Sequence, residues 1–354
     1  MILTAFSGVS LLMTHNYVVT LGKLCLVLSC LCVTFILSSA AAQAQSTEDV
    51  HIVPRAGQDQ HGPTTDLPKT NDSAPQAHIR PIRVDVDLVL VPVAVTDAMN
   101  RPVVNLTKRD FALYEAESAQ EIRYFMADDG PISIAVLFDV SRSMTDKIET
   151  ERAAIHEFFQ NANPEDEYFG IAFSNRPRFL VGPTQSTDEV EDKLTSIEPS
   201  GTTAMLDAIC LAESYLRSAR YQRKAIVIIS DGGDNASRYT LRETKKLIEE
   251  SDTQIYAIGL FETLLFNSLE EKLGKKWLSE ITDRTGGRTL TVQDRAKLPE
   301  AAAVISREIR NQYILGYRPT IGNGKWRQIK VKVTSLPERP LQAYYKRGYY
   351  SAER

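Results

Sequence analysis

This chain is short of the residues on which hydrolytic and metal-dependent enzymes most often build. Its 354 residues include five histidines, and His15, His51, His61 and His78 all precede the first strand-like pattern. Only His156 lies in the patterned region, on a helical stretch, so a Ser-His-Asp triad or a histidine-ligated zinc would rest on it alone. Gly-x-Ser-x-Gly, His-Glu-x-x-His and Walker A patterns are also absent. Cysteine is equally scarce. Cys25, Cys30 and Cys32 fall in an N-terminal apolar segment, which leaves Cys210 and no partner for an internal disulfide. There is no basic excess either: a net charge of −4 argues against a nucleic-acid binder.

The N-terminal segment reads as an export signal. Lys23 is its only charged side chain, Leu24 to Leu37 is apolar, and Ala40-Ala-Ala-Gln-Ala44 supplies an Ala-x-Ala pattern with cleavage expected after Ala44. The stretch before Lys23 is long for such a signal, so a start at Met13 or retention as an uncleaved anchor are the alternatives. The apolar run is shorter than the ~20 residues a spanning helix needs, which favours cleavage. Residues 45–82 are rich in Gln, Pro, Asp, Thr and Ser and are expected to form a disordered linker.

Order is expected from residue 83. Alternating and continuous apolar runs at 84–96, 111–115 and 122–126, with turn residues between them, suggest strands of a small β-sandwich. From 131 to 310 strands alternate with helices: strands at 133–140, 168–173, 178–181, 224–230, 254–260 and 288–292, and helices at 146–162, 187–197, 205–219, 240–251, 268–284 and 295–311. That alternation predicts an α/β doubly wound, mostly parallel, Rossmann-like sheet, with 178–181 forming an antiparallel hairpin. Residues 311–354 return to β pattern at 313–317, 326–333 and 341–345. Three isolated strands bury a face poorly, so they are expected to pair with strands 83–130, leaving the α/β domain inserted between the two ends of the sandwich. Arg327, Lys330, Lys332, Lys346 and Arg347 read as the solvent face of these strands rather than as a polyanion patch.

Three loops should meet at the carboxyl end of the sheet, where open α/β folds place ligands. The first follows the apolar run Ser133-Ile-Ala-Val-Leu-Phe and carries Asp139, Ser141 and Ser143. The second, Pro199-Ser-Gly-Thr-Thr203-Ala, opens a helix, and the third, Ser230-Asp231-Gly-Gly-Asp-Asn235, leaves another apolar strand. Two carboxylates and three hydroxyls form an all-oxygen set suited to Mg²⁺, with Mn²⁺ possible, rather than to zinc or copper. Each loop alone is also an ordinary turn or helix cap. The three in this order favour a cation site.

Asp139-x-Ser141-x-Ser143, Thr203 and Asp231 resemble the metal-ion-dependent adhesion site of von Willebrand factor type A domains, over about residues 131–310. The flanking strands are similar to those of a bacterial secreted group of related proteins. The resemblance implies that Ser141, Ser143 and Thr203 ligate the metal, with Asp139 and Asp231 binding directly or through water. Thr203 fits the family spacing better than Thr202. Arg142 stands where the family usually has glycine; it either modulates ligand binding or points to solvent.

The expected function is an exported, periplasmic or extracellular module, not an enzyme, that binds the Asp or Glu carboxylate of a protein partner through the cation. Neither nucleic acid nor a small-molecule substrate is expected, and membrane contact only if the N-terminal segment stays uncleaved. The alternative is a structural or assembly component of the envelope whose metal only stabilises the fold. A metal-assisted hydrolase using Asp139, Asp231 and Asp234 has no positioned base or nucleophile.

Overall fold

In the computed structural model the described residues are 88–261, 269–319, 324–334 and 340–351. The expected export signal and linker lie outside them. Among the described residues no helix is long and apolar enough to cross a membrane.

The central layer is a six-stranded sheet. Its strands are β5 (Ser133–Asp139), β6 (Glu167–Phe173), β7 (Pro177–Thr184), β8 (Lys224–Ser230), β9 (Gln254–Leu260) and β10 (Thr289–Val292). They lie in the order β10-β9-β8-β5-β6-β7, parallel except for β7, which runs antiparallel to β6. Every residue of β5 and β9 is buried, as their unbroken apolar sequences require of strands covered on both faces. Alternate side chains serve opposite cores. Ile134, Val136 and Phe138 pack beneath α1 (Ile148–Phe159), α2 (Thr187–Thr195) and α6 (Leu298–Arg310). Ala135 and Leu137 face α3 (Met205–Leu216), α4 (Leu241–Glu250) and α5 (Leu269–Thr285).

The chain leaves β5 for β6 on one side and later returns to β8 on the other, so the strand order reverses at β5. A crevice forms at the carboxyl ends of strands at such a switch point. That is where Asp139 and Ser230 end their strands.

Two four-stranded antiparallel sheets make up the remainder. One has the order β13-β1-β11-β4, from β1 (Val89–Thr96), β4 (Tyr124–Asp128), β11 (Gln312–Tyr317) and β13 (Gln342–Tyr345). The other has the order β14-β12-β2-β3, from β2 (Phe111–Glu115), β3 (Ser118–Gln120), β12 (Trp326–Val333) and β14 (Gly348–Tyr350). Both mix strands that precede the α/β domain with strands that follow it, Val91 opposing Leu315 and Leu113 opposing Val331. Val91, Val93, Leu113, Tyr313, Leu315, Tyr317 and Val331 form their common core.

Of the basic residues on the last strands, Lys330 and Lys332 are exposed along β12, Lys332 over the ring of Tyr114. Lys346 behaves differently. Its Nζ donates to the Ser251 carbonyl at 2.5 Å, tying the sandwich to the α/β domain.

Cys210 lies on the buried side of α3, 7% exposed, with its Sγ 3.7 Å from Thr244 Oγ1. Burial pushes its thiol up to about 11, which leaves roughly a hundredfold less thiolate at pH 8 than an ordinary thiol would have. Maleimide labelling of the native protein at that pH should be slower than labelling of the urea-unfolded chain by at least that factor. Equal rates would contradict this packing.

Candidate metal centre

The three loops are laced together through their backbones. Val140 N–H donates to the Phe173 carbonyl, Ser200 N–H to Val140, and Arg142 N–H to Gly201 at 3.1 Å. Ala204 N–H reaches Ser174, while Asn235 N–H and Ala236 N–H both donate to the Thr203 carbonyl. Thr203 N–H in turn donates to Asn235 Oδ1 at 2.9 Å. Gly201 holds φ +83°, and a Cβ there would fall 2.4 Å from Asn175 Oδ1. That oxygen already accepts from the backbone N–H and hydroxyl of Thr202. Only glycine meets both demands. Thr202 is thereby engaged with Asn175, and Thr203 is the threonine fixed against the third loop.

Asp139 is fully buried. Its Oδ1 accepts the Ser141 N–H at 2.9 Å and its Oδ2 the Ser230 hydroxyl at 2.6 Å. The Ser141 and Ser143 hydroxyls lie 3.1 Å apart, the first buried and the second exposed. Thr203 and Asp231 are 5% and 6% exposed. Burial, and then repulsion from Asp231, raise the Asp139 carboxyl to about 7.

Two residues that sequence reasoning did not single out complete the centre. Glu151, fully buried on α1, accepts the Asp139 N–H through Oε1 at 3.2 Å, and its Oε2 has no hydrogen-bond partner. Burial and then repulsion from Asp139 hold its carboxyl well above the usual range. Lys147, the N-cap residue of α1, places its Nζ 3.2 Å from Asp231 Oδ2. A signal for both was available: residues 147 and 151 are spaced i, i+4, and Glu151 falls among the apolar positions Ile148 and Ile155 on the buried face. Arg142 contributes through its backbone, and its side chain is exposed.

Asp234 is committed elsewhere. Its oxygens accept Leu206 N–H at 2.8 Å and the Ser237 N–H and hydroxyl, which caps the start of α3 in place of a local residue. His156 sits on the surface of α1 against Glu191 and Gln160, away from the centre. A polar cavity of about 620 Å³, lined by Glu213, Arg217, Lys224 and Asp252, opens at the amino ends of the strands instead. Its buried Glu213 is satisfied by Ser251 and Thr253.

The donor set fits a hard divalent cation. Asp139 and Asp231 repel one another, an orphaned carboxylate oxygen of Glu151 lies beside them, and the surrounding donors are hydroxyls. Among the described residues no group of three or more His, Cys, Asp or Glu side chains is arranged to hold a metal. Any ligation therefore depends on Ser141, Ser143 and Thr203 as much as on the two aspartates.

No curated protein matches the chain. Among solved structures it is similar to a von Willebrand factor type A protein from Catenulispora acidiphila, at 13% identity and TM-score 0.44, over 75% of this chain and 74% of that one. It is also similar to an aerotolerance-related membrane protein from Bacteroides fragilis, at 21% identity and TM-score 0.39, over 51% and 98%. A third is proximal thread matrix protein 1 from the mussel byssus with a zinc-occupied MIDAS motif, at 18% identity and TM-score 0.43, over 55% and 49%. The family model of the von Willebrand factor type A domain matches residues 134–233, a span that contains Asp139, Ser141, Ser143, Thr203 and Asp231. The chain carries a von Willebrand factor type A domain.

Proposed function

We propose that this protein is an exported binding module that captures a protein partner through a divalent cation, Mg²⁺ or Mn²⁺, held by Asp139, Ser141, Ser143, Thr203 and Asp231. The observation that carries this reading is the convergence of two mutually repelling, nearly buried carboxylates with three hydroxyls on loops fixed by shared backbone bonds. A cation bound among so few anionic donors keeps Lewis acidity to offer an incoming Asp or Glu carboxylate. Export rests on the N-terminal segment, with residues 1–44 as signal, 45–82 as linker and 131–310 as the A domain between sandwich strands 83–130 and 311–354. The reading is binding without turnover.

A second reading follows from the depth of Asp139 and Glu151, both fully buried: a cation there stabilises the fold, and the sandwich makes the contacts of an envelope assembly component. One experiment separates the two. Immobilised full-length protein is exposed to envelope proteins in Mg²⁺ or in chelator, beside Asp139→Ala. Binding predicts that one retained species disappears with either chelator or Asp139→Ala. Retention of that species by a folded Asp139→Ala variant would overturn it in favour of the structural role.

A further inference from the structure

We propose that Lys147 is a resident cation of this centre, which occupies Asp231 in the absence of metal and is displaced when a divalent cation binds. The inference rests on reading these residues as a metal site. It concerns what sets the occupancy of that site.

Lys147 Nζ lies 3.2 Å from Asp231 Oδ2, with the two side chains only 11% and 8% exposed. The pair is therefore held out of water, unlike the surface ion pairs that contribute little. The location is electrostatically awkward for a lysine. It is the N-cap of α1, where the helix dipole disfavours a positive charge and favours an anion. Asp231, in direct contact, compensates, and Asp139 and Glu151 are fully buried close by. Lys147 is a cation that the structure places directly on this cluster. Arg142, three residues after Asp139, is exposed instead.

A metal ion binding Asp231 must share or take over the oxygen that Lys147 contacts. A unit positive charge a few ångströms from an incoming dication opposes it strongly in partly buried surroundings. The ammonium thus lowers divalent affinity, and it also supplies the counter-charge of Asp231 in the metal-free centre. The centre then fills over a range of divalent concentration set by Lys147, and filling it frees the Lys147 side chain.

Two measurements test this on the full chain. Mg²⁺ and Mn²⁺ titrations, followed by calorimetry and by Mn²⁺ paramagnetic resonance, compare wild type with Lys147→Met and Lys147→Gln. Both variants should bind at least about tenfold more tightly, as expected for removal of one adjacent unit charge. In the wild type, acylation of Lys147 by an amine-reactive ester, read by mass spectrometry, should rise several-fold between chelator and saturating Mg²⁺. Wild-type binding with unchanged or weaker affinity in both variants would overturn the proposal, as would acylation indifferent to saturating metal. Failure of the wild type and both variants to bind either ion would overturn the metal-site reading itself, and this proposal with it.

Discussion

Arg288→Met should destabilise the protein by about 3–5 kcal/mol, the loss typical of breaking a buried ion pair from one side, and adding Glu308→Leu should recover most of it. Arg288 is 4% exposed and Glu308 1%. The guanidinium donates through Nε to Glu308 Oε2 at 2.7 Å, with Nη2 2.5 Å from the same oxygen. Its Nη1 reaches across to the sandwich, to Asn100 Oδ1 at 2.6 Å and the Tyr344 hydroxyl at 3.2 Å, and its carbon lies 4.7 Å from the Tyr344 ring centroid. One side chain thus joins the strand entering β10, helix α6 and both chain ends of the sandwich. Removing it leaves the Glu308 carboxylate in the interior with no counter-charge. The double variant removes that orphan as well, so its penalty shrinks to lost cross-sheet contacts.

The pH dependence of Arg288→Met gives a second check on the same pair. Burial raises the Glu308 carboxyl even with Arg288 opposing the shift. Without Arg288 it must rise further. A carboxyl raised in the fold binds more protons there than in the unfolded chain, so stability falls as pH rises from its unfolded value toward its folded one. Urea denaturation should therefore place Arg288→Met closer to wild type at pH 5 than at pH 8. The opposite ordering would mean that Glu308 is not the group left stranded.

Local pattern made the frame legible and left the ties between its parts hidden. The run Ser133-Ile-Ala-Val-Leu-Phe-Asp139 could only be a strand covered on both faces, and it is. Pairing of the first and last strands was legible because the three last strands could hardly bury a face alone, and Val91 indeed opposes Leu315. By contrast β3 and β14 are three residues each, with the sequences Ser-Ala-Gln and Gly-Tyr-Tyr, too short for alternation to register. The helix expected from residue 146 starts at Ile148, because Arg142–Met144 form a 3₁₀ turn that carries Ser143. In the site, residue types and order exposed the oxygen donors. The i, i+4 spacing to Glu151 marks Lys147, but local pattern could not expose its contact with Asp231, 84 residues away, or that of Arg288 with Glu308, 20 residues away. A lysine before a helix and an arginine before a strand look like solvated charges until folding removes the solvent.

Asp139→Asn carries the other large expectation, because it should separate the site's function from the fold's stability. In metal-free protein the Asp139 carboxyl is raised from 3.8 to about 7, first by burial and then by Asp231. The native state therefore binds more protons than the unfolded state between those values, and stability falls as pH rises through that window. At pH 8 the accumulated penalty is on the order of 4 kcal/mol. Asparagine removes the charge and keeps a carbonyl for the Ser141 N–H. Its amide must instead donate to the Ser230 hydroxyl, which already accepts the Gly232 N–H, so part of the gain is given back. In chelator at pH 8, Asp139→Asn should unfold at a higher temperature than wild type, by about 1–3 kcal/mol of stability, and this advantage should vanish near pH 4. Added Mg²⁺ should reverse the order at pH 8, stabilising wild type with the logarithm of its concentration above Kd and leaving the variant unmoved. A variant less stable than wild type in chelator at pH 8 would show that the hydrogen bonds of Asp139 outweigh its charge. A variant that still gained stability from Mg²⁺ would place the cation somewhere other than Asp139.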